Sequence, residues 1–313
     1  MRKTAGSRDG LHVVEGTNTR LSKILGLAIG VTASFLVFPS AFAGAKATPL
    51  EPAQSLARDV FYNEVQDRGQ DSFWEYRIDR KTGPTSIVAE QIETKHGPIH
   101  RLLLKDNMPL TPVQEREENA RLDQLLQSAS DQARVQQQYE QDEARLQRLM
   151  KLMPDAFLFE YDGPQDAIAA GDFLRLKFTP NPYFKPPTFE ARIFHSLTGT
   201  LMISRREKRM LHFQGQIMER VDFGWGLLGH VEKGGTFEIE RRPVNGTHWK
   251  TELVDVNIEG KVVLFKTVSQ HQHEVRSGFK PVPLDITLAQ ARAILDRVAS
   301  GPSQASRRSS GSR

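Results

Sequence analysis

The chain of 313 residues contains no cysteine. This absence excludes disulfide bonds, thiol catalysis and cysteine-ligated metal sites, so a folded domain has to be stabilised by burial of its core. It also excludes acylation of a cysteine after the N-terminal apolar segment, the modification that anchors a lipoprotein. Long apolar runs are lacking too, because residues 24–38, "ILGLAIGVTASFLVF", fall short of the roughly 20 residues that a membrane-spanning helix needs.

The N-terminal apolar run has the flanks of a secretory signal. Basic residues such as Arg2, Lys3 and Lys23 precede it, and the small-residue sequence "PSAFAG" follows it. This order predicts a signal peptide over residues 1–43 that is cleaved near Ala43, and hence a periplasmic or secreted protein. The alternative, in which the segment is retained as an anchor, stays open.

The net charge of the chain comes from its two ends. The formal net charge is +4 and the sequence pI is about 9.2. Residues 1–43 carry five Lys/Arg and two Asp/Glu, and the C-terminal residues "GPSQASRRSSGSR" carry three Arg and no acid, so the body between them has a net charge of −2. The basic pI therefore does not indicate a nucleic-acid partner, and the Ser/Gly/Arg-rich tail over 300–313 is expected to be disordered.

The first block of the predicted domain, about 55–106, begins with a short helix and continues as a β-meander. Three stretches rich in β-formers, "FWEYRIDRK", "TSIVAEQIET" and "IHRLLLKD", are separated by Gly-Pro pairs, which is typical of successive hairpins. Side chains alternate between the faces of a strand, so Trp74, Tyr76 and Ile78 are predicted to share one face.

Residues 111–153 are predicted to form a helical insertion. Thr111, Pro112 and Gln114 match a capping box with proline at the first helical position. The sequence "SASD" at 128–131 allows a break and a second start, and Pro154 predicts the end of the helix. The middle of the insertion is rich in Gln, Glu, Asp and Arg, so it either projects toward a partner or forms a hairpin folded over a sheet.

The last block, about 156–299, reads as a succession of strands followed by a closing helix after Asp285. Turn signals occur between the strands, including Asn245-Gly246 and Glu259-Gly260. The order of elements predicts an α+β fold in which one large, strongly bent antiparallel sheet dominates, and it excludes a doubly wound α/β fold. We therefore predict a single domain over 44–299.

The segment "VDFGWGLLGH" at 221–230 contains the tripeptide D-F-G of protein kinases. The Gly-rich phosphate loop and the H-R-D catalytic loop that a kinase also needs are missing from the sequence. The segment is better interpreted as a glycine-jointed apolar insertion between two strands. Its apolar side chains and two tryptophans elsewhere are the predicted ligand-binding residues of a hydrophobic cavity: Trp74, Phe223, Trp225, Leu227, Leu228 and Trp249.

Three stretches of the last block, "LTGTLMISRREKRMLHFQGQI", "DFGWGLLGHVEKGGTFEIE" and "HWKTELVDVNIEGKVVLFKT", resemble strand–turn–strand units of the LolA/LolB lipoprotein-carrier superfamily. The periplasmic sigma-factor regulators RseB and MucB share that superfamily, and the resemblance covers about 50–285. It implies an unclosed half-barrel whose concave apolar face is covered by helices. The helical insertion at 111–153 departs from the pattern of the carriers.

Other candidate chemistry is sparse. His271 and His273 are predicted to share a strand face, but two ligands are too few for a stable zinc site. The sequence has no G-x-S-x-G elbow and no H-E-x-x-H motif. We therefore predict no catalytic residues, no metal and no cofactor, and expect that the protein is not an enzyme.

Two functions follow as expectations. In the first, a non-catalytic exported envelope protein binds a lipid, an acyl chain or a lipoprotein in the concave apolar face of the half-barrel, because burial of apolar ligand surface is favourable. In the second, an envelope sensor or scaffold has an interior filled by its own side chains and binds a protein partner through the 111–153 segment. An unfilled dry cavity would favour the first function, and a packed interior the second.

Overall fold

The computed structural model describes residues 50–68, 72–164, 171–223, 229–246, 248–262 and 271–301. All of them belong to one compact unit, Ala47–Arg313. The predicted signal peptide lies outside the described residues, as does nearly all of the predicted tail. Among the helices that the structure describes, none combines the length and the apolar composition needed to cross a membrane.

The described part of the chain combines helices with many strands. The helices are α1 Ala53–Arg68, α2 Pro112–Gln127, α3 Ala129–Ala156, α4 Leu288–Ala299 and a 3-10 helix at Glu190–Ser196. The strands are β1 Phe73–Thr82, β2 Thr85–Ile92, β3 Ile99–Lys105, β4 Met108–Pro109, β5 Phe157–Tyr161, β6 Phe173–Pro180, β7 Leu197–Ser204, β8 Arg209–Ile217, β9 Val221–Phe223, β10 Gly229–Val231, β11 Thr236–Val244, β12 His248–Asn257, β13 Gly260–Val262 and β14 His271–Val282.

Eleven of these strands form one antiparallel sheet with the order β4-β3-β2-β1-β14-β12-β11-β8-β7-β6-β5. The short strands β13, β10 and β9 form a second sheet. Because β4 and β5 are the two edges, the large sheet is not closed. The prediction of an α+β fold built on an unclosed antiparallel sheet is confirmed.

The two helices of the insertion begin and end where the side chains can satisfy free backbone groups. Thr111 and Gln114 form the predicted capping box at the start of α2, with Pro112 in the first turn. Ser128 ends α2 and caps α3 by accepting a hydrogen bond from the Asp131 amide. The predicted end at Pro154 is early by two residues, because the proline lies inside the last turn of a helix that continues to Ala156.

The strand register defines two faces of the large sheet. We call the side that carries Trp74, Tyr76 and Ile78 the Trp74 face. Directly paired residues lie on the same side of a sheet, and the register leads from Ile78 through neighbouring strands to Ile239. The largest hydrophobic cluster lies here: α1, the end of α3 and the 3-10 helix pack against β5 to β8 and β11.

The opposite side, which we call the Ile92 face, carries a second cluster at the other end of the sheet. Ile92 of β2 is paired with Ile99 of β3 and with Glu75 of β1, so all three point away from the Trp74 face. Leu122 of α2 and Leu295 of α4 pack onto these isoleucines. The helices are thus divided between the two faces of the sheet, whereas the resemblance implied helices over the concave face.

Helix α3 connects the two ends of the sheet. Near its start, Gln136 hydrogen-bonds His96 in the β2–β3 loop and the Tyr139 ring lies against Gly97. Nearer its end, Arg145 forms an ion pair with Glu190 of the 3-10 helix at 2.9 Å. With 28 residues at about 1.5 Å each, α3 is long enough for this path, and it lies along the body instead of projecting from it.

Two paired glycines let β7 and β8 carry aromatic rings against their backbone. Gly199 is paired with Gly215. A Cβ on Gly199 would lie 2.7 Å from Phe178 Cζ, and a Cβ on Gly215 would lie 2.5 Å from Phe237 Cε1. The space that a side chain would take is therefore filled by Phe178 and Phe237 on the Trp74 face.

Candidate functional site

The structure buries both described tryptophans of the predicted cavity. Trp74 is 1% exposed and Trp249 is 6% exposed. The ring of Trp74 has Lys250 Nζ 5.4 Å from its centroid, and the ring of Trp249 has the Arg209 guanidinium at the same distance. Both tryptophans are therefore packed within the protein and are not open to a ligand.

The other predicted cavity residues lie wholly or partly outside the described residues. Residues 224–228, which include Trp225, Leu227 and Leu228, lie outside the described residues, and so does the side chain of Phe223. The backbone of Phe223 is described, and it is paired with Gly229. Residues 224–228 therefore connect two paired strands, β9 and β10.

A charged cluster fills the Trp74 face beside Trp249. Glu64 of α1 is fully buried, and its Oε1 accepts hydrogen bonds from Arg209 Nε at 3.0 Å and from the Met210 amide at 2.9 Å. Glu64 also forms an ion pair with Arg241, whose Nη2 donates to the Trp249 carbonyl at 2.7 Å. Asp67 binds both guanidiniums, at 2.6 Å and 3.0 Å. Sequence reasoning missed this cluster.

The electrostatics of the cluster follow from its burial. Desolvation lowers the pKa of Arg241 to about 10, which leaves its guanidinium protonated at neutral pH. Two buried arginines thus face two carboxylates, which is the arrangement in which buried charge is tolerated. The position is occupied by ion pairs that hold α1 against β8 and β11.

A second polar group continues from this cluster toward β1. Lys250 binds Glu93 at 3.1 Å, while burial lowers the pKa of Lys250 and raises that of Glu93. Farther along, Glu274 of β14 binds Arg276 and Arg80, and burial raises the pKa of Tyr76 above its ordinary range. The described centre of the Trp74 face is therefore packed and polar, which is the packed interior of the second expectation and not the dry cavity of the first.

Several of the exposed large apolar side chains lie in and around the 3-10 helix, while others, such as Met108 and Phe173, lie elsewhere on the described structure. Tyr183, in the Pro-rich loop before this helix, is 88% exposed, and Phe189, which directly precedes the helix, is 49% exposed. Arg192 lies over the Phe189 ring at 5.0 Å. The exposed Met218 donates its amide to the carbonyl of Ser196, the last residue of the helix. We call Tyr183, Phe189, Arg192 and Met218 the aromatic rim.

Strand β9 brings the apolar insertion to this rim. Residues of β9 contact the 3-10 helix, and Val221, at the start of β9, is part of the large hydrophobic cluster. Strand β9, which Trp225, Leu227 and Leu228 follow in the sequence, therefore lies against the 3-10 helix. An exposed apolar group with an adjacent cation is a typical contact surface for a protein or a lipid.

The Ile92 face carries an open, polar hollow of ≈ 450 Å³ over β7, β8, β11 and β12. Its walls are mostly hydroxyl, amide and carboxyl side chains: Thr198, Thr200, Gln214, Gln216, Thr236, Glu238 and Asp255. A smaller hollow next to it is bounded by Lys81, His271 and His273. Both hollows are open to solvent and bordered by hydrogen-bonding side chains.

The two histidines considered in the sequence each bind a side chain of β12. His271 Nδ1 lies 2.5 Å from Asn257 Oδ1, and His273 Nδ1 lies 2.6 Å from Asp255 Oδ2. Each imidazole is thus oriented by its own cross-strand partner, and the two do not form a site together.

Comparison of the chain with protein-family models, with curated proteins and with solved structures finds no match. The resemblance to the LolA/LolB superfamily therefore stays a prediction from the sequence.

Proposed function

We propose that this is a non-catalytic exported envelope protein that binds an acyl chain of a lipid or lipoprotein at the aromatic rim. The observation that carries the proposal is the pairing of Phe223 with Gly229 beside the 3-10 helix. Trp225, Leu227 and Leu228 follow Phe223 in the sequence, and β9 contacts the 3-10 helix that Phe189 directly precedes. We therefore assign the proposed binding site to the rim of the Trp74 face, because ion pairs occupy the centre of that face.

The energetics of such a contact are favourable. Burial of one large apolar side chain contributes about 1.5–3 kcal/mol, so three of them provide enough for reversible binding to an acyl chain or a membrane surface. Tyrosine and tryptophan are preferred at the lipid–water boundary, where one end of the side chain is apolar and the other wet. Arg192 beside Phe189 adds a positive charge that suits an anionic headgroup.

Tryptophan fluorescence tests the proposal directly, because the chain has only three tryptophans and Trp74 and Trp249 are buried. Vesicles of phosphatidylethanolamine and phosphatidylglycerol should shift the emission of the full chain to shorter wavelength. The Trp225→Phe variant should lose most of this shift, whereas Trp249→Phe, the matched control, should keep it. An unchanged shift in Trp225→Phe, or no shift in the unmodified protein, would argue against the rim as a lipid site.

A second candidate is an envelope sensor or scaffold that binds a protein partner through the 111–153 segment. It is favoured by the packed centre of the Trp74 face and by the outward side of α3, which presents Ala133, Gln137, Gln141 and Ala144 to solvent. Under this alternative, Ala144→Glu should abolish capture of the partner by cross-linking and leave the vesicle-induced fluorescence shift unchanged.

A further inference from the structure

Three potential metal ligands converge on the Ile92 face, on two neighbouring strands. Glu238 and Glu240 are two residues apart on β11, so their side chains leave the same side of the strand. His212 of β8 is directly paired with Glu240. One ligand atom from each of the three residues lies within 4.8 Å of the others, and His212 Nε2 is 2.7 Å from Glu238 Oε1.

The charges around these three residues leave an excess of carboxylate. Asp255 of β12, which His273 binds at 2.6 Å, is paired directly with Glu238, and like charges in such a pair destabilise a sheet. Arg242 is 4.0 Å from Glu240 but lies closer to Glu252, at 2.9 Å. Among the described neighbours, the negative charges of Glu238 and Glu240 are therefore balanced mainly by His212. A histidine that binds a metal is neutral, so the metal ion itself would have to balance these charges.

We propose that His212, Glu238 and Glu240 bind one divalent first-row transition metal ion, with Zn²⁺ as the first candidate. One imidazole and two carboxylates are a ligand set that Zn²⁺ accepts, at about 2.0–2.2 Å from each ligand atom. All three side chains are partly exposed, so they can rotate by the small amount that such distances require. Glu238 also borders the open hollow of this face, which leaves solvent free to complete a four-coordinate site.

The metal would neutralise the facing carboxylates and tie β8 to β11. It uses none of the residues of the aromatic rim, so the proposal is independent of acyl-chain binding. The ion would also fix one wall of the polar hollow, because Glu238 is both a proposed metal ligand and a lining residue of that hollow.

Equilibrium dialysis of the full chain against Zn²⁺, with the bound metal measured by mass spectrometry, tests the site. We expect one equivalent of zinc, and a loss of affinity of about tenfold or more in His212→Ala and in Glu240→Gln, because even the loss of a residue that only orients a metal ligand lowers affinity by about 10–100-fold. His230→Ala is the matched control, because His230 also pairs with one carboxylate, Glu232 at 3.2 Å, and it should change the affinity less than twofold.

X-ray absorption spectra of the zinc-loaded protein provide a readout that does not depend on the variants. A first shell of nitrogen and oxygen at about 2.0–2.2 Å is expected. Circular dichroism of each variant verifies that the fold is retained. Absence of stoichiometric zinc in the unmodified protein, or zinc binding that survives both substitutions, would overturn the proposal.

Discussion

Replacement of Glu64 by alanine is expected to lower the free energy of unfolding by about 3–5 kcal/mol, because it leaves buried charges without their partner. Glu64 is fully buried and binds both Arg209 and Arg241. Without its carboxylate, the two guanidiniums share only Asp67, and the Met210 amide loses its acceptor. The loss should appear as a lower midpoint in urea unfolding followed by circular dichroism.

The matched control for Glu64 is an exposed carboxylate on the same sheet. Glu160 on the edge strand β5 is exposed, and Glu160→Ala should change the free energy of unfolding by less than about 0.5 kcal/mol. The double variant Glu64→Ala with Arg241→Met should be destabilised by less than the sum of the two single changes. The second substitution removes the Arg241 charge that the first one leaves without its Glu64 partner. A loss under 1 kcal/mol for Glu64→Ala would contradict the assigned role of the cluster.

The second large effect is expected for Phe157→Ala, at about 3–5 kcal/mol of lost stability, as for other buried aromatic residues. Phe157 begins β5 and is fully buried. Its ring packs edge-on against Phe159, Phe178 and Phe194, with centroid distances of 6.2, 4.8 and 5.3 Å. The substitution leaves a cavity at the point where β5, β6 and the 3-10 helix meet.

Leu158→Ala is the internal control for Phe157, because the next residue on the same strand points to the opposite side and is half exposed. It should cost less than about 1 kcal/mol. Thermal unfolding of both variants in parallel measures the contrast. Equal losses for the two variants would mean that β5 does not have the alternation of buried and exposed residues seen in the structure.

Local signals in the sequence were sufficient for most elements. The capping residues Thr111 and Ser128 predict the ends of α2 and α3, because a side chain close in sequence supplies the missing hydrogen bond. Asn245 and Gly246 both have positive φ, 52° and 76°, as expected for the predicted hairpin turn. These features depend on neighbours along the chain, so a single sequence contains them.

Strand alternation was predicted less well where a bulge interrupts it. Regular alternation along β12 would place Trp249, Thr251 and Leu253 on one face. In the structure, Thr251 is paired with Arg241 and Leu253 with the adjacent Glu240, and adjacent residues of a strand point to opposite faces. The bulge adds a residue to β12 between the two pairs, and no residue type in the sequence indicates it.

The polar centre of the Trp74 face could not be predicted, because its members are distant in sequence. Glu64 and Arg209 are 145 residues apart, and Arg241 is farther still. No spacing rule relates such positions, and each charge considered alone resembles an exposed surface residue. Sequence reasoning therefore named Trp74 and Trp249 as candidate cavity residues without the ion pairs that the fold places beside them.

The most direct test of acyl-chain binding is native mass spectrometry of the protein, purified from cells that express the full chain, beside lipid extraction of the same sample. We expect a bound acyl-chain mass that is lost when Trp225→Glu and Leu228→Glu are combined, and retained when the exposed Leu284 is changed to Glu. A mass without ligand, from a sample that unfolds cooperatively, would contradict acyl-chain binding at the rim and favour the partner-binding alternative.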